Sequence, residues 1–89
     1  MVEIMKKTWS REFEAILYGR KKFDTRLDDF EVKEGDILIL KEWDTDRKEY
    51  TGREIRKKIS YVLKTKEAKY WAGEDVNEKG FVVISLEEE

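Results

Sequence analysis

The chain has 89 residues, a net charge of −2 and neither Cys nor His. This length predicts a single domain, residues 1–89, with a small core. Without Cys there is no disulfide or zinc–thiolate site, and without His any catalysis needs Lys, carboxylate, Tyr, Ser or Thr side chains. No apolar stretch approaches the ~18 residues of a membrane span and no secretory signal is recognised, so the sequence predicts a cytoplasmic protein.

Charged residues make up 45% of the chain, and Gln is absent. This composition is typical of hyperthermophilic proteins, although the absence of Pro is not. Residues 1–26 and 53–69 are net basic, whereas residues 27–52 and 70–89 are net acidic. Two basic segments on one face could bind phosphate despite the acidic total, because salt limits repulsion to roughly 8–10 Å. Pairing between acidic and basic strands explains the same pattern without a ligand, and both interpretations stay open.

The N-terminal third predicts a strand followed by a short helix. Residues 2–8 alternate in polarity, as a strand does. Ser10 is the expected N-cap of an amphipathic helix over residues 11–18, and Gly19 is expected just past its C-terminus. The basic run at residues 20–22 would then complement the negative end of the helix dipole, which is a purely structural role.

The rest of the chain predicts further strands. Residues 22–27 have a period of two, with one face made of Phe23, Thr25 and Leu27 and the other of Lys22, Asp24 and Arg26. An apolar strand at 37–43 follows the turn at 31–36, and a polar hairpin loop at 44–52 leads into an alternating strand at 53–63. One face of that strand is expected to carry Ile55, Ile59, Tyr61 and Leu63.

Residues 64–80 are irregular or weakly helical, and "FVVISL" at 81–86 is the last strand. Short strands at even spacing in a small domain favour a sheet curled into a barrel, which removes exposed edges. The sequence therefore predicts an α+β fold: a small β-barrel of about five to six strands with one short N-terminal helix.

The stretch "FEAILYGRKKFDTRLDDFEVKEGDILIL" resembles the ASCH domain, a branch of the PUA-like β-barrel superfamily. The family pattern is a helix ending in Gly-x-Lys, a strand with a Thr or acidic residue and an Arg, and a Gly-Asp turn before an apolar strand. It falls here on Gly19, Lys21, Asp24, Arg26, Gly35 and Asp36. The stretch "EWDTDRKEYTGREIRKKISYVL" is similar to small ASCH-like proteins. The resemblance implies a helix-flanked cleft beside the Gly-x-Lys segment and, because ASCH domains are generally regarded as RNA-binding, an RNA or nucleotide ligand.

Binding needs cations for phosphate and aromatic rings for bases. Arg offers a bidentate fork and Lys a point charge, and stacking on an aromatic ring contributes ~1–3 kcal/mol per base. We therefore predict a binding set drawn from the basic run, the second basic segment and the "KYW" stretch: Lys21, Lys22, Asp24, Arg26, Lys58, Tyr70 and Trp71. A surface row of ion pairs at these positions is the structural alternative.

A small metal-independent hydrolase is the alternative function. The resemblance implies that one ASCH branch removes an acyl group from modified cytidine with a Lys, a Thr nucleophile and a Glu, and that another member is a ribonuclease. Lys21 matches the Lys, but the Thr position is Asp24, and Thr25 is expected on the opposite face. Candidates for the Glu are Glu67, Glu74 and Glu78.

Whether the protein is an enzyme therefore stays open, with Lys21 and Asp24 as the catalytic candidates. Neither reading uses a metal or a cofactor, and the acidic loop at 44–49 lacks the spacing of an EF-hand. A third interpretation is a module for protein–protein interaction, in which the alternating charge of the segments serves partners other than nucleic acid.

Overall fold

The computed structural model describes residues 1–67 and 80–89. In these ranges the chain forms five strands, one α-helix and one 3₁₀ turn. In chain order they are β1 (Glu3–Trp9), α1 (Ser10–Leu17), β2 (Phe23–Leu27), β3 (Ile37–Asp44), β4 (Glu49–Lys64), the 3₁₀ turn (Thr65–Glu67) and β5 (Phe81–Glu87). The predicted α+β class, with strands and one short N-terminal helix, is confirmed. Four residues proposed for a site lie outside the described residues: the predicted binding residues Tyr70 and Trp71 and the catalytic Glu candidates Glu74 and Glu78.

The five strands form a single curled, half-barrel sheet in the order β1-β3-β4-β5-β2. β1 and β3 are parallel, and the other three neighbouring pairs are antiparallel. β1 and β2 are therefore the two edges of the sheet. Curling brings these edges towards each other. The contact between them is made by the Arg26 side chain of β2, which donates to the backbone carbonyl of Lys7 in β1 at 2.8 Å.

Helix α1 packs on one face of the sheet, here called the inner face, and the hydrophobic core lies between them. Phe13 and Ile16, three residues apart and therefore on one side of the helix, are 1% and 2% exposed. They meet alternate residues of the sheet, which include Leu38, Leu40, Ile55, Ile59, Val82, Ile84 and Leu86. Burying such side chains contributes about 1.5–3 kcal/mol each and is the main stabilising term of a domain this small. No described helix is long and apolar enough to cross a membrane.

The two ends of α1 differ in how well the sequence predicted them. Ser10 is the first helical residue rather than the N-cap, and Trp9 occupies the cap position without a capping side-chain hydrogen bond. The Ser10 hydroxyl instead donates to the carbonyl of Trp43 at 3.5 Å. Gly19 has φ = +83°, as expected for the residue that ends a helix and reverses the chain.

One predicted face is wrong. The pairing of β4 with β5 shifts between Ile59 and Tyr61, where the strand bulges. The bulge inserts one residue, so the alternation restarts with the opposite phase. Tyr61 is consequently 56% exposed on the outer face, the face opposite α1, and Leu63 alternates to the same face. Val62 packs against the core in place of Tyr61. Periodicity alone cannot locate such an insertion.

Candidate functional site

A cleft of about 360 Å³ opens where the two edges of the sheet approach each other. Its walls are the end of β1, the first turn of α1 and the β2 strand. The lining residues are Lys7, Thr8, Trp9, Glu12, Lys21, Asp24, Thr25 and Arg26. The cleft therefore forms at the junction of three elements that are contiguous in the first third of the sequence.

Arg26 closes the gap between the edges. Its Nε donates to Oδ2 of Asp24 at 2.7 Å, one terminal nitrogen donates to the Lys7 carbonyl at 2.8 Å, and the other donates to Oγ1 of Thr8 at 2.8 Å. Asp24 and Thr8 are each 4% exposed, so the bonds to their side chains are largely shielded from water, whereas the bond to the Lys7 carbonyl is exposed. A guanidinium has five N–H donors, and three are used here. Two remain for a ligand, so Arg26 can hold the sheet together and still contact what enters the cleft.

Lys21 forms the second ion pair of the cleft. Its Nζ lies 2.6 Å from Oε1 of Glu12, which is in the first turn of α1. The hydrogen bond and charge of Lys21 lower the pKa of Glu12. The geometry follows from the chain reversal at Gly19, after which the Lys21 amide donates to the carbonyl of Ala15 at 2.9 Å. The reversal lets the Lys21 side chain run back along the helix to its first turn.

The cleft therefore presents opposite charges side by side. Lys21 and Arg26 are balanced by Glu12 and Asp24, and an exposed ring, Trp9, stands in the wall at 63% exposure. Anionic groups of a ligand can meet the two cations, whereas N–H donors can meet the two carboxylates. Within residues 1–67 and 80–89, no group of three acidic side chains is placed to hold a metal ion.

Three of the predicted binding residues, Lys21, Asp24 and Arg26, meet in this cleft. Lys22 lines a neighbouring groove of about 300 Å³, which shares Lys21 with the cleft. The other residues of that groove are Ile16, Gly19, Lys57, Leu86, Glu87 and Glu88. Lys58 lies on β4, in register with Ile37 and Glu87. It lines neither the cleft nor the neighbouring groove. The predicted set is thus divided between two adjoining surfaces and a third position on β4.

The predicted aromatic pair Tyr70 and Trp71 lies outside the described residues. Among the Glu candidates of the hydrolase reading, Glu67 is described; it is exposed in the 3₁₀ turn and does not line the cleft. Asp24 and Thr25 alternate along β2 as predicted, with Asp24 buried and Thr25 exposed, although both contribute to the lining.

The cleft also contains residues that were not predicted as part of the site: Lys7, Thr8, Trp9 and Glu12. Glu12 does have a sequence signal. A Gly that ends the predicted helix reverses the chain, so a lysine two residues later can reach back to a carboxylate in the first turn of the helix. Thr8 and Trp9 carry no such local signal, because they join the site only when the two sheet edges meet.

A buried carboxylate fixes the helix wall of the cleft to the sheet. Glu42 of β3 is 3% exposed and accepts from Arg53 at 2.7 and 2.9 Å and from the Thr51 hydroxyl at 2.6 Å. Arg53 also donates to Glu14 of α1 at 3.1 Å. The Arg53 hydrogen bond, with help from Thr51, lowers the pKa of Glu42 to about 2 against the opposing effect of burial. The carboxylate therefore stays charged and keeps α1, with Glu12, in place.

Comparison with known proteins adds a family but no activity. No curated protein matches the chain. The family described as a domain of unknown function, DUF3850, matches residues 5–86, a range that includes every residue lining the cleft. Because the match covers most of the chain, this protein belongs to the DUF3850 family.

Proposed function

We propose that the protein binds RNA or a nucleotide in the cleft between β1 and β2, and that its half-barrel is an ASCH-type member of the PUA-like superfamily. The observation that carries the binding proposal is the convergence of Lys21, Arg26 and two carboxylates beside the exposed ring of Trp9. The Gly-x-Lys-x-x-Asp-x-Arg segment, on which the resemblance to ASCH domains rests, supplies half of that lining.

Each group has a distinct role in this proposal. A phosphate would take the two unused N–H donors of Arg26 and one from Lys21, whose amine has three. Base N–H groups would donate to Glu12 or Asp24, and the base would stack on Trp9. The Lys21–Glu12 pair is partly solvent-exposed, with side-chain exposures of 17% and 45%, so sharing Lys21 with a phosphate costs at most about 1 kcal/mol. A volume of about 360 Å³ suits one nucleotide.

The test is a titration of single-stranded RNA and of mononucleotides at several salt concentrations. Binding should weaken as salt rises, with a logarithmic slope of roughly 0.7 for each phosphate contacted on a single strand. Lys21→Ala should weaken binding and reduce that slope by about one contact. Lys33→Ala, an exposed lysine in the turn before β3, is the matched control and should leave both quantities unchanged. Absence of binding at 50 mM salt, or equal effects of the two variants, would contradict the proposal.

A metal-independent hydrolase acting on an acylated cytidine or on RNA is the second candidate. It is favoured by one observation, the close pair of Lys21 and Glu12 next to Asp24. Glu12 offers the carboxylate that the resemblance asks for, although it comes from α1. With Asp24 in the Thr position, water rather than a hydroxyl would be the nucleophile, activated by a carboxylate base. Turnover that persists with a chelator and is lost in Lys21→Ala would support this candidate, and no product from either substrate would exclude it.

A further inference from the structure

Three aromatic side chains form a row across the outer face of the sheet, the face opposite α1. Trp9 of β1 is in register with Trp43 of β3, and Trp43 is in register with Tyr50 of β4. The rings of Trp43 and Tyr50 touch edge to face, with centroids 4.9 Å apart. Trp9 is 63% exposed and Tyr50 is 48% exposed. Together these three residues are called the aromatic row.

Two lysines flank the aromatic row. Lys7 and Lys41 are in register with each other, two residues before Trp9 and Trp43 respectively. The Lys7 ammonium lies 3.9 Å from the centre of the Trp43 ring, and the Lys41 ammonium lies 5.2 Å from the centre of the Tyr50 ring. Such a contact is weak where solvent reaches the ring, so the Lys41 ammonium can leave the exposed Tyr50 ring for a phosphate. Trp43 is half-buried, and Lys7 can contact a phosphate while it stays over that ring.

The aromatic row is continuous with the cleft. Trp9 and Lys7 line the cleft and also belong to the outer face. Adjacent strands lie about 4.8 Å apart, so the distance from β1 to β4 along the row is roughly 10 Å. In other RNA-binding proteins, two or three bases stack on aromatic side chains of a sheet surface. A chain that leaves the cleft over Trp9 would meet Trp43 and Tyr50 next.

We propose that the aromatic row is a stacking platform for the bases of single-stranded nucleic acid that extends out of the cleft. The inference rests on the proposed function and specifies its ligand: a strand of several nucleotides rather than a mononucleotide alone. Lys7 and Lys41 contact the phosphates that connect the stacked bases, which matches the sign of charge on that chain. A duplex does not fit, because its bases are already stacked and paired.

One acidic residue limits the platform. Glu54 of β4 is in register with Lys41 and therefore shares the outer face with it. Its carboxylate would repel phosphates that pass beyond Lys41 on β4. Because the aromatic row has only three rings, the site is bounded at a few nucleotides, unlike a surface that is basic throughout.

The test compares the binding of a mononucleotide with that of a single-stranded RNA octamer by the intact protein. Its two variants are Tyr50→Ala in the aromatic row and Lys41→Ala beside it, and neither residue lines the cleft. Tyr61→Ala is the matched control, since Tyr61 is an exposed tyrosine on the outer face of the same strand. The octamer should bind more tightly than the mononucleotide. Tyr50→Ala should weaken octamer binding about 5- to 100-fold and leave mononucleotide binding within about twofold. Lys41→Ala should lower the salt slope for the octamer.

The outcomes separate the platform from the cleft. If Lys21→Ala weakens both ligands while Tyr50→Ala acts like Tyr61→Ala, the platform is refuted and the cleft function stands. If Tyr50→Ala weakens the octamer while Lys21→Ala changes nothing, the platform stands and the cleft function is refuted. Equal affinity for octamer and mononucleotide, or for single strand and duplex, overturns the platform. Far-UV circular dichroism verifies that each variant is folded.

Discussion

Replacing Glu42 by Gln is expected to destabilise the protein at neutral pH and to have almost no effect near pH 2. In the folded protein the Glu42 carboxylate accepts two hydrogen bonds from Arg53 and one from Thr51, and its pKa falls from 4.5 to about 2. Because the folded-state pKa lies below the unfolded one, the charged form stabilises the fold. That contribution is complete above pH 4.5 and is lost as the pH falls towards 2.

The size of the effect follows from the change in pKa. Lowering the pKa from 4.5 to about 2 corresponds to about 3 kcal/mol at ~1.36 kcal/mol per tenfold change in the ionisation constant. Glu42 is buried, but the Arg53 side chain is 44% exposed, and solvent weakens the pair. After this reduction we expect Glu42→Gln to lower the free energy of unfolding by about 1–2 kcal/mol at pH 7. The geometry is otherwise retained, because Gln keeps the shape and an acceptor oxygen.

The measurement is urea denaturation of the wild type and of Glu42→Gln, followed by circular dichroism between pH 7 and pH 2. Other carboxylates titrate in the same range, so the quantity of interest is the difference between the two proteins at each pH. Glu54→Gln, at an exposed position of β4, is the control and should differ little from the wild type throughout. The pH-dependent role of Glu42 would be refuted by either of two results. The loss of unfolding free energy in Glu42→Gln could stay constant from pH 7 to pH 2, or it could equal the loss in Glu54→Gln.

Two further predictions concern the walls of the cleft. Arg26→Lys keeps the charge, but a lysine cannot reach Asp24, the Lys7 carbonyl and Thr8 together. We therefore expect the free energy of unfolding to fall by about 2–3 kcal/mol and ligand binding to weaken. An unchanged melting temperature would show that these Arg26 hydrogen bonds do not stabilise the fold. Gly19→Ala should destabilise by about 1–2 kcal/mol through its φ of +83° alone, because no atom lies within 4 Å of the added Cβ. Gly19→Asn should cost less, since Asn tolerates this conformation, and equal melting temperatures for the two variants would contradict the explanation.

Local patterns predicted the elements of this protein well. The amphipathic spacing of Phe13 and Ile16 and the reversing Gly19 define α1, and the apolar run at 37–43 corresponds to the buried strand β3. The alternation along β2 also predicted that Asp24 and Arg26 share a face. These features depend on the preferences of neighbouring residues and on the periods of 3.6 and 2, which are encoded within a few positions of each other.

The candidate site was predicted in part for the same reason. Lys21, Asp24 and Arg26 lie within one turn and one strand, so a short pattern carries them. Their hydrogen-bond partners outside this segment were harder to predict: Lys21 binds Glu12 rather than Asp24, and Arg26 donates to the Lys7 carbonyl and the Thr8 hydroxyl. The bulge after Ile59, which turns Tyr61 outwards, was also missed because β-bulges leave no reliable period in the sequence.

Residue order and polarity thus established the helix, the strands and the basic segment that borders the cleft. The meeting of the β1 and β2 edges and the alignment of Trp9, Trp43 and Tyr50 across three strands came from tertiary structure. Both depend on strand order and register, which are set by backbone pairing between strands that are distant in the sequence. Contacts between residues far apart in the chain leave no local signal, and for that reason the cleft and the aromatic row emerge only from the folded protein.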